Sequence, residues 1–267
     1  MALTAKDILR NSVKDKLARD EVVASITVRL VGTNEIVRIA KTAGFDTLYI
    51  DLEHSSLSMA STGQLCIMAL EAGIPAFVRV PSNTPEYISR VLDGGALGVI
   101  APGVRSAAEA RAVVAAAKYR PQGDRGYGAG LAHLQYRNFP PAEVFQAMND
   151  ATMVIVQFES AASLMAANEV MAVEGVDMVL IGTNDLMVDL GIPGQFDHSL
   201  VHDAYVRALA ACKKYGKHLG IGGLSTRPDL VEKYVKMGAR YVSTGTDLAF
   251  LMAACTERAK AVQSIVK

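Results

Sequence analysis

The run TLYIDLE at 47–53 closes on two carboxylates, Asp51 and Glu53, and His54 follows at once. In an extended strand alternate side chains share a face. Thr47, Tyr49, Asp51 and Glu53 therefore point one way, and Leu48, Ile50 and Leu52 the other. Two carboxylates at the end of one face are more than packing asks for. A chain that turns after Glu53 sets His54 beside Asp51, which would orient the imidazole and stabilise its cation for proton transfer. The alternative makes His54 a loop histidine and Asp51 a helix-facing cap. A second run, AFVRVP at 76–81, carries Arg79 within an apolar strand, where a guanidinium needs an anion to offset its desolvation. That anion is either Asp51 or Glu53 in an ion pair, or a substrate carboxylate or developing enolate oxygen.

Two further carboxylates close later strands. VQFE at 156–159 puts Gln157 and Glu159 on one face, opposite Phe158, and IGTNDL at 181–186 brings Asp185 to the end of the next strand. Two hard carboxylates with open positions suit a divalent cation such as Mg2+, Mn2+ or Co2+, completed by water and a chelating substrate. In the bland reading Asp185 caps a helix and Glu159 makes a salt bridge. His198 and His202 stand four apart, as zinc ligands on a helix do, but without the glutamate of an HExxH motif. Gly222-Gly223 and Thr244-Gly245-Thr246 resemble phosphate-holding turns in a short and weak way.

The elements that must hold these residues repeat along the chain. Strands are expected at 24–28, 47–52, 76–80, 98–101, 153–158, 178–181, 218–221 and 241–243. Helices are expected at 34–43, 59–72, 85–93, 107–118, 161–173, 200–215, 228–237 and 247–266. Eight strand–helix units in strict alternation give a parallel sheet with helices outside, most simply a closed (β/α)8 TIM barrel over a single domain, 1–267. No GxGxxG follows the first strand, which argues against an open doubly wound sheet. Gly44, Gly73, Gly94, Gly216 and Gly238 stand where helices end, and Thr33, Ser106 and Ser160 where they begin. An extra N-terminal helix at 5–18, with Ile8, Leu9, Val13 and Leu17 on one face, is expected to plug the barrel bottom. The stretch 119–150, containing RPQGDRGYGAG, is an expected active-site loop. The last helix carries more apolar surface than one stripe requires and points to a second subunit.

Composition narrows the function classes. The chain has 267 residues, with 27 Lys+Arg against 27 Asp+Glu and no basic cluster, so no nucleic-acid partner is expected. No apolar run is long enough for a bilayer, and the charged N-terminus lacks a secretory h-region. Cys66, Cys212 and Cys255 form no CxxC and are expected to be reduced packing residues of a cytoplasmic protein. No strand core contains a lysine, which argues against a Schiff-base mechanism.

The motifs DLEH (51–54), RVP (79–81), LDGGA (92–96), PQGDRG (121–126), QFE (157–159) and GTNDL (182–186) occur in that order. Together they resemble the class II pyruvate aldolases of the HpcH/HpaI family, 4-hydroxy-2-oxoheptanedioate aldolases among them, over about residues 20–250. The resemblance implies a barrel of the phosphoenolpyruvate/pyruvate type and a divalent metal on Glu159 and Asp185, chelated by the carboxylate and keto oxygens of pyruvate. It implies that Arg79 supports the enolate, that His54 oriented by Asp51 moves protons, and that Gln157, Gly182 and Thr183 lie beside the keto acid. Asp93 falls near a subunit contact. The substrates would be pyruvate, oxaloacetate or a 4-hydroxy-2-oxo acid together with an aldehyde, and the assembly a homohexamer whose dimers exchange the last helix. Two departures stand out. Thr183-Asn184 replaces the usual Pro-Ala, and His133 and 136–139 lie in a region that is variable in the family and helps select the aldehyde. The rival readings are an acyl-CoA thioester lyase on the same scaffold, a phosphate-binding barrel using the turns after strands 7 and 8, and a non-catalytic barrel serving as a binding or scaffold subunit.

Overall fold

A computed structural model describes residues 3–266 of the chain. Its eight strands are β1 (Val23–Val28), β2 (Thr47–Asp51), β3 (Ala76–Arg79), β4 (Gly98–Ala101), β5 (Met153–Phe158), β6 (Met178–Gly182), β7 (His218–Gly222) and β8 (Tyr241–Thr246). They pair in parallel in sequence order, and β8 closes on β1. The helices before the midpoint are α1 (Ala5–Ile8), α2 (Ser12–Ala18), α3 (Glu35–Ala43), α4 (Met59–Ala72), α5 (Pro85–Asp93) and α6 (Ala107–Ala117). After it come α7 (Pro141–Ala151), α8 (Ala161–Met165), α9 (Ala167–Met171), α10 (Thr183–Asp189), α11 (Ser199–Lys214), α12 (Pro228–Met237) and α13 (Asp247–Gln263). The fold is a (β/α)8 barrel with the expected extra N-terminal helical segment.

Alternation along each strand divides the core in two. Leu48, Ile50, Val78, Val99, Val154, Val156, Phe158 and Ile181 face outward and are buried under the helices. Tyr49, Phe77, Ile100, Met153, Ile155, Met178, Leu180 and Tyr241 fill the barrel axis. Each fully buried aliphatic side chain contributes about 1.5–3 kcal/mol of transfer free energy, so both layers resist a one-residue slip that would swap faces. Inside the axis the Tyr241 hydroxyl donates to Ser25 Oγ at 2.8 Å, which satisfies a polar group that the packing would otherwise strand.

The bottom of the barrel is closed as expected, with one difference. Ala5, Leu9, Val13 and Leu17 join the axial cluster, but Ile8 is only half-buried and the segment breaks into α1 and α2 around Leu9–Asn11. Asn11 causes the restart. Its Oδ1 accepts from the backbone N–H groups of Val13 and Lys14, and its Nδ2 donates to the Ala151 carbonyl at 2.8 Å.

The stretch 119–150 lies at this same bottom face. It holds α7, which the sequence reading missed, and Leu131, Leu134, Val144 and Met148 pack into the cluster that contains Ala5 and Leu9. It connects α6 to the start of β5, so it reaches the opposite end of the barrel from the strand C-termini. Its expected place at the active site of its own chain is overturned by that connectivity. His133 is buried there with Nε2 2.9 Å from the Ala96 carbonyl oxygen, and burial pulls its pKa down to about 4.

Other local expectations shift by a residue. Ser106 and Ser160 cap α6 and α8, accepting from Glu109 and Ser163. The cap position of α3 falls on Asn34 rather than Thr33. The helix expected at 161–173 is two helices with a step at Ala166. After α5 the left-handed residue is Gly95, φ 107°, and Gly94 stays right-handed. Cys66 and Cys212 are buried as expected, whereas Cys255 is exposed on α13. That helix is exposed from Leu248 to its end at Gln263, including Leu248, Phe250, Leu251 and Met252. No described helix is long and apolar enough to cross a membrane.

Asn11→Ala removes a helix cap and leaves the Ala151 carbonyl without its donor. It should lower the unfolding free energy by about 1–3 kcal/mol. Urea titration followed by circular dichroism measures this, and a midpoint equal to wild type would show that the break between α1 and α2 has another cause.

Candidate active site

Register assembles the site. β2 and β3 pair with Asp51 directly beside Arg79. The Asp51 carboxylate, 0% exposed, takes a two-pronged contact from Arg79, Nε to Oδ1 at 2.9 Å and Nη2 to Oδ2 at 2.7 Å. A second guanidinium closes on it from β1, with Arg29 Nε 2.6 Å from Oδ2. Burial alone would raise the Asp51 pKa, but the Arg79 and Arg29 charges and the His54 backbone N–H outweigh it and hold the carboxyl below its usual range. The same pairing raises Arg79 above its ordinary value against its own desolvation. Removing one member of such a buried pair leaves a bare charge, at a cost of about 3–5 kcal/mol.

His54 is placed differently from the expected arrangement. Its backbone N–H, not its ring, approaches Asp51, at 3.3 Å from Oδ1. The half-exposed imidazole has Nε2 3.8 Å from Glu53 Oε2. The cause is the turn: the N–H groups of Glu53 and His54 both fold back onto Asp51 Oδ1, and the Ser55 hydroxyl donates to the Asp51 carbonyl. The two Asp51 oxygens are then fully used, and the ring is carried past them.

Arg79 Nη1 reaches Glu53 Oε2 at 2.8 Å and Glu159 Oε1 at 4.0 Å. The Glu53 contact is close but misaligned, so Oε2 remains a buried oxygen with no hydrogen-bond donor. Glu159 Oε2 accepts from the Gly103 N–H at 2.9 Å. Burial, then the Glu53 and Asp185 charges, push the Glu159 pKa up to about 7. Asp185 sits in the first turn of α10. Gly182, at the end of β6, is required by contact: a Cβ there would stand 2.8 Å from Gln157 Nε2 and from Glu159 Oε1.

A cavity of about 160 Å3 opens between these strand ends, lined by Arg79, Gln157, Gly182, Thr183 and Asp185 among others. Five of the expected site residues therefore share one cavity wall. Asp51, Glu53 and Glu159 support it from behind, through Arg79 and Gly182, and His54 is not in its lining. The Thr183 hydroxyl is already committed, 2.8 Å from Tyr205 Oη and 2.6 Å from the Gly222 carbonyl oxygen. Only its backbone and methyl surface remain for a ligand. His198 and His202 form no pair: His198 caps α11 by accepting from the Leu200 N–H, and His202 stacks on Tyr234.

The chemistry of the donor set fits a divalent cation. Four carboxylates, Asp51, Glu53, Glu159 and Asp185, face two guanidiniums, Arg29 and Arg79, so the cluster is short of positive charge. Two buried acceptors, Glu53 Oε2 and Gln157 Oε1, have no donor. Among the described residues no group of three or more His, Cys, Asp or Glu forms a complete protein cage. A cation here would rest on Glu159 and Asp185 and take its other ligands from solvent or substrate.

The family model for HpcH/HpaI aldolase/citrate lyase matches residues 26–254. The chain belongs to the HpcH/HpaI aldolase/citrate lyase family. It is 37% identical to a 4-hydroxy-4-methyl-2-oxoglutarate aldolase of Hapsidospora irregularis over 96% of both chains. It is 36% identical to a 4-hydroxy-2-oxovalerate aldolase of Rhodococcus jostii, covering 90% of this chain and 92% of that one. The crystal structure of an HpcH/HpaI aldolase from Desulfitobacterium hafniense superposes with a TM-score of 0.85 at 33% identity, over 94% of this chain and 95% of that one.

Two residues of this HpcH/HpaI site escaped the sequence reading. Arg29 lies one residue beyond β1, ending ITVR much as Arg79 ends AFVR, and the same argument about an arginine closing an apolar run would have found it. Asp247, at the start of α13, is buried and accepts from the backbone N–H groups of Arg29, Leu30 and Val31 at 2.8–3.3 Å. It fixes the loop that presents Arg29.

The raised Glu159 pKa has a signed consequence. A carboxyl whose folded pKa lies above its unfolded value contributes stability below the unfolded pKa, near 4.5, and loses it as pH rises through about 7. In metal-free protein Glu159→Gln should therefore raise the melting temperature relative to wild type more at pH 8 than at pH 5. Scanning calorimetry in chelator at both pH values tests this, and an equal difference at both would contradict it.

Proposed function

We propose that the chain is a metal-dependent class II aldolase that cleaves or forms 4-hydroxy-2-oxo acids through a pyruvate enolate. The observation that carries the reading is the meeting of Arg79, Gln157, Gly182 and Asp185 around one cavity, with Glu159 behind it, in a family whose relatives are named as aldolases of such acids. The 2-oxo acid end of the substrate lies against Arg79, Gln157 and the start of α10. A bound Mg2+, Mn2+ or Co2+, held by Glu159 and Asp185, supplies Lewis acidity to the 2-oxo group. Loss of the C4 hydroxyl proton breaks the C3–C4 bond and releases the carbonyl product, and the electron pair remains on the three-carbon fragment. Arg79 faces the charge that develops there, and its prior pairing with Asp51 means little reorganisation is needed at that moment. His54, with a half-exposed ring, moves the proton, with Glu53 rather than Asp51 beside that ring.

The acyl-CoA alternative is not favoured, because relatives at 34–37% identity over most of the chain are named as aldolases. A purely structural barrel has no use for a charge-deficient cluster beneath a cavity. The enzyme works in the cytoplasm, which suits three unpaired thiols. It assembles as a homohexamer through exchange of α13, whose exposed apolar side chains a single chain leaves in water.

Excess EDTA should abolish pyruvate release from a 4-hydroxy-2-oxo acid, and Mg2+, Mn2+ or Co2+ should restore it. Glu159→Ala and Asp185→Ala should each lose Mn2+ binding in calorimetric titration while keeping their far-ultraviolet spectrum. Full turnover after verified metal removal, or wild-type Mn2+ affinity in both variants, would overturn the metal assignment. Light scattering at micromolar concentration should give the mass of an oligomer, and a stable 28.4 kDa particle would refute the exchanged-helix assembly.

A further inference from the structure

The two arginines of the site are not equivalent. Arg79 spends its Nε/Nη2 edge on Asp51 and turns Nη1 toward Glu53. Arg29 spends only Nε, on Asp51, and its Nη1 and Nη2 groups hold no hydrogen bond among the described residues. Its side chain is 35% exposed and lines the cavity at the β1–β8 side, away from the start of α10. A guanidinium with a free pair of Nη donors is shaped for a carboxylate. It is also held in place from two sides, by Asp51 at Nε and by Asp247 at its own backbone N–H, 3.0 Å away.

The wall around Arg29 is polar. Thr27, Ser225, Ser243 and Thr246 bring hydroxyl-bearing side chains to the cavity lining. An alkyl group here would desolvate those groups and the free guanidinium donors without replacing their hydrogen bonds. Phosphate is less well served. Thr246 Oγ1 already accepts from the Ala249 N–H at the start of α13, and the Asp247 carboxylate beside it repels a dianion. α12 begins on Pro228, which has no N–H to offer.

We propose that Arg29 determines acceptor specificity, binding a carboxylate carried by the carbonyl compound that this aldolase releases or condenses. The preferred substrate is then a diacid, with one carboxylate at the pyruvate end and the other on C4. In cleavage the C3–C4 bond breaks, its electrons stay on C3 and the hydroxyl proton leaves. C3 is then protonated to the methyl of pyruvate. C4 becomes the carbonyl carbon of a 2-oxo acid, its carboxylate still on Arg29. No oxidant or second cofactor enters the balance. The proposal rests on the aldolase reading above.

A matched pair of substrates tests it. 4-Hydroxy-2-oxoglutarate and 4-hydroxy-2-oxovalerate differ only in a carboxylate or a methyl on C4, and pyruvate release reports both. The wild-type enzyme should prefer the diacid at least about tenfold in kcat/KM, by the worth of a hydrogen-bonded charge. Arg29→Gln should cut the diacid-to-monoacid ratio by about 10–100-fold, and Arg29→Lys should recover part of it. If Arg29 acts only by holding Asp51, both substrates will suffer alike and the ratio will not move, which overturns the assignment. Equal use of both substrates by the wild type overturns it without any variant. So does faster turnover of an aldol bearing a phosphate in place of the second carboxylate. Cleavage of none of these would remove the aldolase reading itself, and the proposal with it.

Discussion

The site is organised around one carboxylate, Asp51, which has no exposure to solvent and two guanidiniums upon it. A buried anion of this kind is tolerable only when its charge and lone pairs are met in full. Asp51 meets that condition through Arg79 on the neighbouring strand, Arg29 from β1, and the folded-back N–H groups of Glu53 and His54. Each contact also fixes its partner. Arg79 is aimed along the barrel mouth, Arg29 is held at one rim, and the β2 turn is wound tightly enough to carry the His54 ring outward. The barrel supplies what makes this possible, because parallel register sets Asp51 beside Arg79 and closure brings β8 and Asp247 to β1.

Satisfying Asp51 so completely leaves the rest of the cluster unbalanced. Both arginines point part of their charge inward at Asp51, and Glu53, Glu159 and Asp185 remain with too little. The raised Glu159 pKa and the undonated oxygen of Glu53 are two expressions of that shortage. A divalent cation and an anionic substrate arriving together would relieve it, which couples metal binding to substrate binding through electrostatics alone. The same arrangement separates duties by geometry. Glu159 follows β5 and Asp185 follows β6, the side proposed for the 2-oxo acid end, and Arg29 follows β1, the side proposed for the other half of an aldol.

Much of this was legible in the sequence because strand periodicity is strict. Once 47–53 is read as a strand, Asp51 and Glu53 must share a face with Tyr49, and the structure puts Tyr49 in the axial core. The strand-end position of Asp185 followed from the alternation of units, although α10, which begins directly on the strand end, was not among the expected helices. α7 was missed for a different reason: the glycine- and proline-rich 120–130 stretch masked the amphipathic PAEVFQAMNDA beyond it. That error also put 119–150 at the active site, when its position between α6 and β5 commits it to the barrel bottom. The His54 ring direction depends on how a turn spends two backbone N–H groups, and no spacing rule records that. Arg29 and Asp247 lie outside the expected strand limits by a residue or more, and their partnership joins the first and last units, 218 residues apart.

The central claim is that the Asp51-held Arg79 stabilises a pyruvate enolate formed with a divalent metal at Glu159 and Asp185. Exchange of the pyruvate methyl protons into D2O, followed by proton NMR, reads enolate formation without any acceptor. The account predicts exchange that requires added Mg2+ or Mn2+ and that is slowed in Arg79→Lys, which keeps the charge but loses the planar fork. Exchange that ignores chelator, or that runs at the wild-type rate in Arg79→Lys, would contradict it and leave Arg79 as no more than the ion-pair partner of the β2 carboxylates.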